Sequence, residues 1–147
     1  MTDFQFVPNQ CRPENRLFCG GQPTAQQLAE FAREGGGCVV NLRPQAEMGG
    51  FDEGATVREL GMQYVHIPVA GPEDLSRQAA TTLADAMKRF DADHLMVHCA
   101  SGQRVGALVA LKAGWIDGLP VDQAMEVGRK AGLERLEPVV RAQLSAA

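Results

Sequence analysis

The chain has 147 residues, a formal net charge of −4 at pH 7 and no run of lysine or arginine; apolar residues make up 45% and charged residues 22%. That balance fits one soluble domain around one core, and the missing basic stripe argues against a general nucleic-acid or anionic-membrane binder, so any attraction for an anion must be local. No basic-then-apolar leader opens the sequence and no apolar run reaches the ~18 residues of a membrane span, so the cytoplasm is the expected location.

Residues 1–14 read as an irregular arm ahead of a single domain. Residues 16–19 form a short apolar strand closed by Gly20-Gly21. Thr24 followed by Gln27 is a capping-box pattern that starts a helix; Leu28, Phe31 and Ala32 give it an apolar stripe, and three glycines at 35–37 end it. Residues 38–42 are a β-branched run that reads as a buried strand ended by Arg43-Pro44. An acidic, glycine-containing loop at 45–54 leads to a short helix at 55–60. Residues 64–69 form the next strand and 70–75 a loop. Ser76 caps a helix reaching about Phe90, with Ala80, Leu83, Ala84 and Met87 on one face.

Residues 95–98 are the fourth strand, which runs directly into Cys99. Residues 105–111 are apolar nearly all round and read as a buried central helix. A turn at 117–120 and helices at 121–131 and 134–144 finish the chain. Strands alternating with helices predict an α/β three-layer sandwich with a mostly parallel sheet of four to five strands flanked by helices.

Four cysteines, Cys11, Cys19, Cys38 and Cys99, are widely spaced without a C-x-x-C pair, so neither a zinc site nor a disulfide framework is indicated. Cys19 and Cys38 read as small core residues. Cys99 stands apart because a strand, a cysteine, a glycine-containing loop, an arginine and a buried helix follow in that order. In a parallel sheet, ligands bind at the carboxyl ends of the strands. A short loop there, joined to a helix N-terminus, turns its amides inward to cradle an anion. Gly102 allows positive φ and close backbone approach, and Arg104 can hold two oxygens in a bidentate fork. The same positive field favours a Cys99 thiolate poised for in-line attack. The plainer reading is a buried cysteine ending a core strand, with an arginine nearby by chance.

The loop His98-Cys99-Ala100-Ser101-Gly102-Gln103-Arg104 resembles the active loop of the cysteine-based phosphatases. Together with Leu17-Phe18-Cys19-Gly20-Gly21-Gln22-Pro23-Thr24, Val40-Asn41-Leu42-Arg43-Pro44 and Tyr64-Val65-His66-Ile67-Pro68-Val69, it is similar in order and spacing to the bacterial beta-lactamase hydrolase-like, dual-specificity-phosphatase-like family. The likeness runs over about residues 15–115. It implies hydrolysis of phosphomonoesters through a Cys99 thiophosphate. Arg104 and the loop 100–103 (Ala100, Ser101, Gly102 and Gln103) would hold the phosphate, with His98 ordering the loop. The substrate would be a phosphorylated protein or a small-molecule phosphate, and no metal or organic cofactor is required. In the resembled enzymes an aspartate ahead of the cysteine strand protonates the leaving oxygen. Asp74 fills that role here by position, with Glu73 beside it and turn-capping as the alternative for both. Arg43 either adds a second positive charge at the substrate or pairs with the acidic loop at Glu47 or Asp52. Asn41 and Gln22 are expected to brace neighbouring loops.

One departure opens two alternatives. Four residues separate Cys99 from Arg104 and Val105 stands where the commoner phosphatases place the arginine. That loop length is also seen in rhodanese-type sulfurtransferases, and a narrower cradle suits sulfur transfer through a Cys99 persulfide. Relatives of the resembled family joined to sulfide-oxidising domains point the same way. Val105 also lacks the hydroxyl that phosphatases usually place after the arginine, which leaves a non-catalytic anion-binding module as a third reading.

Overall fold

A computed structural model describes residues 17–90 and 94–146. The arm at 1–14 with Cys11, and the expected strand start at Arg16, lie outside them. In chain order the regular elements are β1 (Phe18–Gly20), α1 (Ala25–Arg33), β2 (Cys38–Asn41), α2 (Glu53–Glu59), β3 (Gln63–His66), α3 (Arg77–Arg89), β4 (Leu95–His98), α4 (Gln103–Leu111), α5 (Val121–Lys130) and α6 (Glu137–Ala146). The four strands form one parallel sheet in the order β1-β4-β2-β3.

Side chains alternate across the strands, and each face meets its own helices. Phe18, Val39 and Met96 pack with Leu28, Phe31 and Val57 of α1 and α2. Cys19, Cys38, Val40, Leu95 and Val97 face the larger core, which takes Leu83 of α3, Leu108 of α4, Met125 of α5 and Val140 of α6. This is the three-layer sandwich that the alternation of elements predicts. No helix among the described residues is long and apolar enough to cross a membrane.

Local chemistry sets the helix boundaries. Both halves of the Thr24–Gln27 capping box are present, and Ser76 Oγ accepts from the Ala79 amide at 3.1 Å. Helix α2 starts at Glu53, two residues before the expected Ala55, because the Asp52 carboxylate accepts from the Ala55 amide at 3.1 Å and so caps the turn earlier. Helix α6 starts at Glu137 rather than Glu134. Pro138 has no N–H to donate to the Glu134 carbonyl, so a helix beginning at Glu134 would lack a hydrogen bond of its first turn.

Strand β4 lies between β1 and β2, with His98 opposite Gly20 on one side and Asn41 on the other. The carboxyl ends of these three strands therefore meet at one edge, where Cys99 follows. Behind that edge, α4 and α5 approach closely, since a Cβ on Gly128 would lie 2.6 Å from Ala110 Cβ, and a Cβ on Gly106 would lie 2.2 Å from the Leu133 amide nitrogen. That contact presses the turn between α5 and α6 against the start of α4.

Candidate active site

Strand β4 delivers Cys99 to the sheet edge, and the strands beside it hold the following loop. The Cys99 amide donates to Gly20 O at 3.1 Å, the Leu42 amide to His98 O at 2.9 Å and the Gln22 amide to Ala100 O at 3.3 Å. Ser101 makes an antiparallel bridge with Gly21. The chain then reverses at Gly102, whose φ of 99° lies in the left-handed region and which forms the N-cap of α4. This turn points the Gly102 amide back at the sulfur, and the N–H donates to Cys99 Sγ at 3.0 Å. The thiol is fully buried. The Gly102 amide, the N-terminus of α4 and the Arg104 guanidinium all face it.

Burial works against the charge on Arg104, but hydrogen bonds to Glu47 and the negative charges of Cys99 and Glu47 prevail, so its pKa is held above its ordinary value. The guanidinium donates to both Glu47 carboxylate oxygens at 2.9 Å and to Val69 O at 2.8 Å. Glu47 ends the short 3-10 turn Gln45–Glu47 that follows β2. Arg43 reaches the same residue, with Nε 3.4 Å from the carboxylate and a guanidinium N–H donating to the Glu47 carbonyl at 2.5 Å. The expected ion pair of Arg43 with Glu47 is formed. Hydrogen bonding and charge from Arg104, with a smaller share from Arg43, outweigh burial and lower the Glu47 pKa.

The Glu47 carboxylate thus takes up two arms of the Arg104 guanidinium, the geometry in which such a fork holds an oxyanion. Glu47→Gln should tighten inhibition by inorganic phosphate about two- to five-fold at neutral pH, the size of a partly exposed ion pair. A depressed carboxylate pKa stabilises the fold above the ordinary value, and this contribution is lost as pH falls through the depressed one. The difference in Tm between wild type and Glu47→Gln should therefore be present at pH 7 and close below about pH 4. Thermal melts across that range check the second expectation, and phosphate competition checks the first.

Under the loop runs a buried polar chain. His98 and Glu53 are both enclosed, at 0% and 2% exposure, and His98 Nε2 lies 2.5 Å from Glu53 Oε2. The other carboxylate oxygen of Glu53 accepts from Gln22 Nε2 at 2.7 Å, and Gln22 Oε1 accepts from Arg43 at 3.0 Å. Asn41 Nδ2 donates to the Tyr64 hydroxyl at 3.0 Å, and its Oδ1 accepts from the Arg43 amide at 2.8 Å. These contacts lock His98, Gln22, Arg43 and Asn41 beneath the Cys99 loop. Reading the sequence left Glu53 in the acidic loop and missed its role. Its one signal is the i, i+4 relation to Val57, which puts both on the buried face of α2.

A cavity of about 320 Å³ opens beside Arg104, between the 101–104 loop, the 69–72 segment and the 135–136 turn. Ala100 is exposed at the loop's outer edge, and Val105 is wholly buried behind it. Gln103 also lines the cavity, and its side chain reaches the backbone of Glu134 and Arg135. Asp74 is not brought to Arg104. Its carboxylate accepts from the Ala70 amide at 2.9 Å and lines a neighbouring depression with His66 and Gln78. The carboxylate of Glu73 folds over Gly71, at 2.9 Å from where a Cβ would stand.

Residues 5–138 match the family described as DSP-PTPase phosphatase fused to NAD+ kinase. The chain is 32% identical over 131 residues to the beta-lactamase hydrolase-like protein of Xylella fastidiosa, covering 81% of this chain and 28% of that protein's length. Among solved structures it is similar to a candidate phosphatase from Shewanella putrefaciens, with a TM-score of 0.71, 24% identity and coverage of 97% and 94% of the two chains. A candidate phosphatase from Neisseria meningitidis gives the same TM-score, 0.71, at 20% identity over 92% and 96% of the chains.

Proposed function

The chain belongs to the family of DSP-PTPase phosphatases fused to NAD+ kinase, and on that premise we propose that it hydrolyses phosphomonoesters through Cys99. The observation that carries this reading is the Gly102 amide on the Cys99 sulfur, in the same turn that sets Arg104 beside it. In the first step the Cys99 thiolate attacks phosphorus in line and the ester P–O bond breaks. Loop amides and Arg104 hold the equatorial oxygens in the place Glu47 vacates. The leaving oxygen takes a proton from Asp74. In the second step a water attacks the thiophosphate, its proton returns to Asp74, and the P–S bond breaks to free phosphate and the thiolate.

Asp74 belongs to the segment whose Ala70, Gly71 and Pro72 line the cavity, so a small movement of that segment would bring the carboxylate to the leaving group. Asp74→Asn keeps an oxygen for the Ala70 amide and removes the proton. It should lower kcat for an alkyl phosphate by about 10²-fold, and by much less for 4-nitrophenyl phosphate, whose leaving group needs no acid. Equal losses on both substrates would remove Asp74 from the mechanism.

A second reading, sulfur transfer through a Cys99 persulfide, is favoured by the four-residue spacing of Cys99 and Arg104. It needs no general acid, so Asp74→Asn would spare it. Purified protein assayed with aryl phosphate, and separately with thiosulfate plus cyanide, separates the two. Phosphate release is expected; thiocyanate formation without phosphate release would overturn the proposal.

A further inference from the structure

The cavity beside Arg104 has a second cation at its mouth. Arg135 lines it across from the 69–72 segment, while Val69, Leu75 and Leu136 supply an apolar wall. Arg135 is exposed, and its guanidinium makes no ion pair or hydrogen bond among the described residues. Nearby arginines differ in this respect. Arg43 and Arg104 both pair with Glu47, and Arg129 with Glu137 and Glu126. The neighbouring carboxylate of Glu134 is turned aside to Gln103 Nε2 at 3.0 Å.

The Arg135 backbone is fixed to the cradle. Gln103 Oε1 accepts from the Glu134 amide at 3.1 Å and from the Arg135 amide at 3.0 Å. Leu133, just before them, is buried, and its amide donates to Gly128 O at 2.9 Å. The close approach at Gly106 presses the same turn onto α4. A residue of the anion loop therefore sets the position of the second cation relative to the first. A positive charge held at the mouth of a small apolar cavity, in a chain of net charge −4, attracts and orients a second anion.

We propose that Arg135 selects substrates in which a compact apolar body joins the scissile phosphate to a second anionic group, a carboxylate or another phosphate. This rests on the phosphomonoester reading of the Cys99 site. The phosphate sits on Arg104 and the loop amides, the body lies against Val69, Leu75 and Leu136, and the second anion meets Arg135.

Two probes of similar size test it, 4-carboxyphenyl phosphate and 4-methylphenyl phosphate. The ratio of their kcat/KM values should favour the carboxylate in wild type. It should fall about five-fold in Arg135→Gln and about ten-fold or more in Arg135→Glu. The same ratios are read as Kd by titration on Cys99→Ser protein, where no turnover occurs. A wild-type ratio near one, a ratio unmoved by either substitution, or no binding of either ester would overturn the proposal. If neither ester is hydrolysed yet the Kd ratio responds to Arg135, the phosphatase reading fails and the second-anion site stands. If both are hydrolysed with an unmoved ratio, the phosphatase reading stands and the role of Arg135 falls.

Discussion

Cys99→Ser is expected to lower kcat/KM for an aryl phosphate by about four orders of magnitude or more, with the fold intact. The sulfur is fully buried and receives the Gly102 amide, and a serine oxygen of nearly the same size can accept the same hydrogen bond. The backbone ties of the loop and the end of β4 to Gly20, Gln22 and Leu42 do not involve the side chain. What changes is the nucleophile. A serine hydroxyl stays protonated at neutral pH, and among the described residues the imidazole of His98 points to Glu53 and to the backbone rather than to this side chain. Steady-state kinetics, with circular dichroism as the control for folding, checks this. Retention of more than about a hundredth of wild-type activity would contradict Cys99 as the nucleophile.

Arg104→Lys should cost about 10²- to 10³-fold in kcat/KM even though the charge is kept. The guanidinium makes a two-pronged contact with Glu47 and a third hydrogen bond to Val69 O. That geometry lets it span two oxygens while holding the 69–72 segment against the loop. A lysine ammonium is a point charge on a flexible stem and cannot span two oxygens in one plane. Loss within about ten-fold would show that charge alone suffices at this position, and that the fork is not what stabilises the transition state.

Much of the architecture is legible locally. Four apolar runs, a capping box at Thr24 and Gln27, Ser76 as a cap and the all-apolar stretch after Arg104 each specify an element within a few residues of where it forms. The nucleophile loop is legible for the same reason, since strand, cysteine, glycine and arginine are contiguous. Contacts that join distant segments leave no such pattern. Glu47 meets Arg104 across 57 residues, Glu53 meets His98 across 45 and Gln103 meets Glu134 across 31. The first two depend on the strand order β1-β4-β2-β3, which brings the ends of β2 and β4 side by side. The side chain of Gln103 braces the α5–α6 turn, because that turn is pressed onto α4 through Gly106. Asp74 is a case of adjacency without contact: its segment lines the cavity, while its carboxylate holds the Ala70 amide on the other side.

The covalent step is open to direct observation. Protein mixed with an aryl phosphate, quenched in acid within one turnover and digested, should yield the peptide containing Cys99 with one phosphoryl group on sulfur. Cys99→Ser protein treated in the same way should yield none. A Cys99 peptide that stays unmodified while phosphate is released, or one that takes up sulfur from thiosulfate and never phosphate, would contradict hydrolysis through a Cys99 thiophosphate.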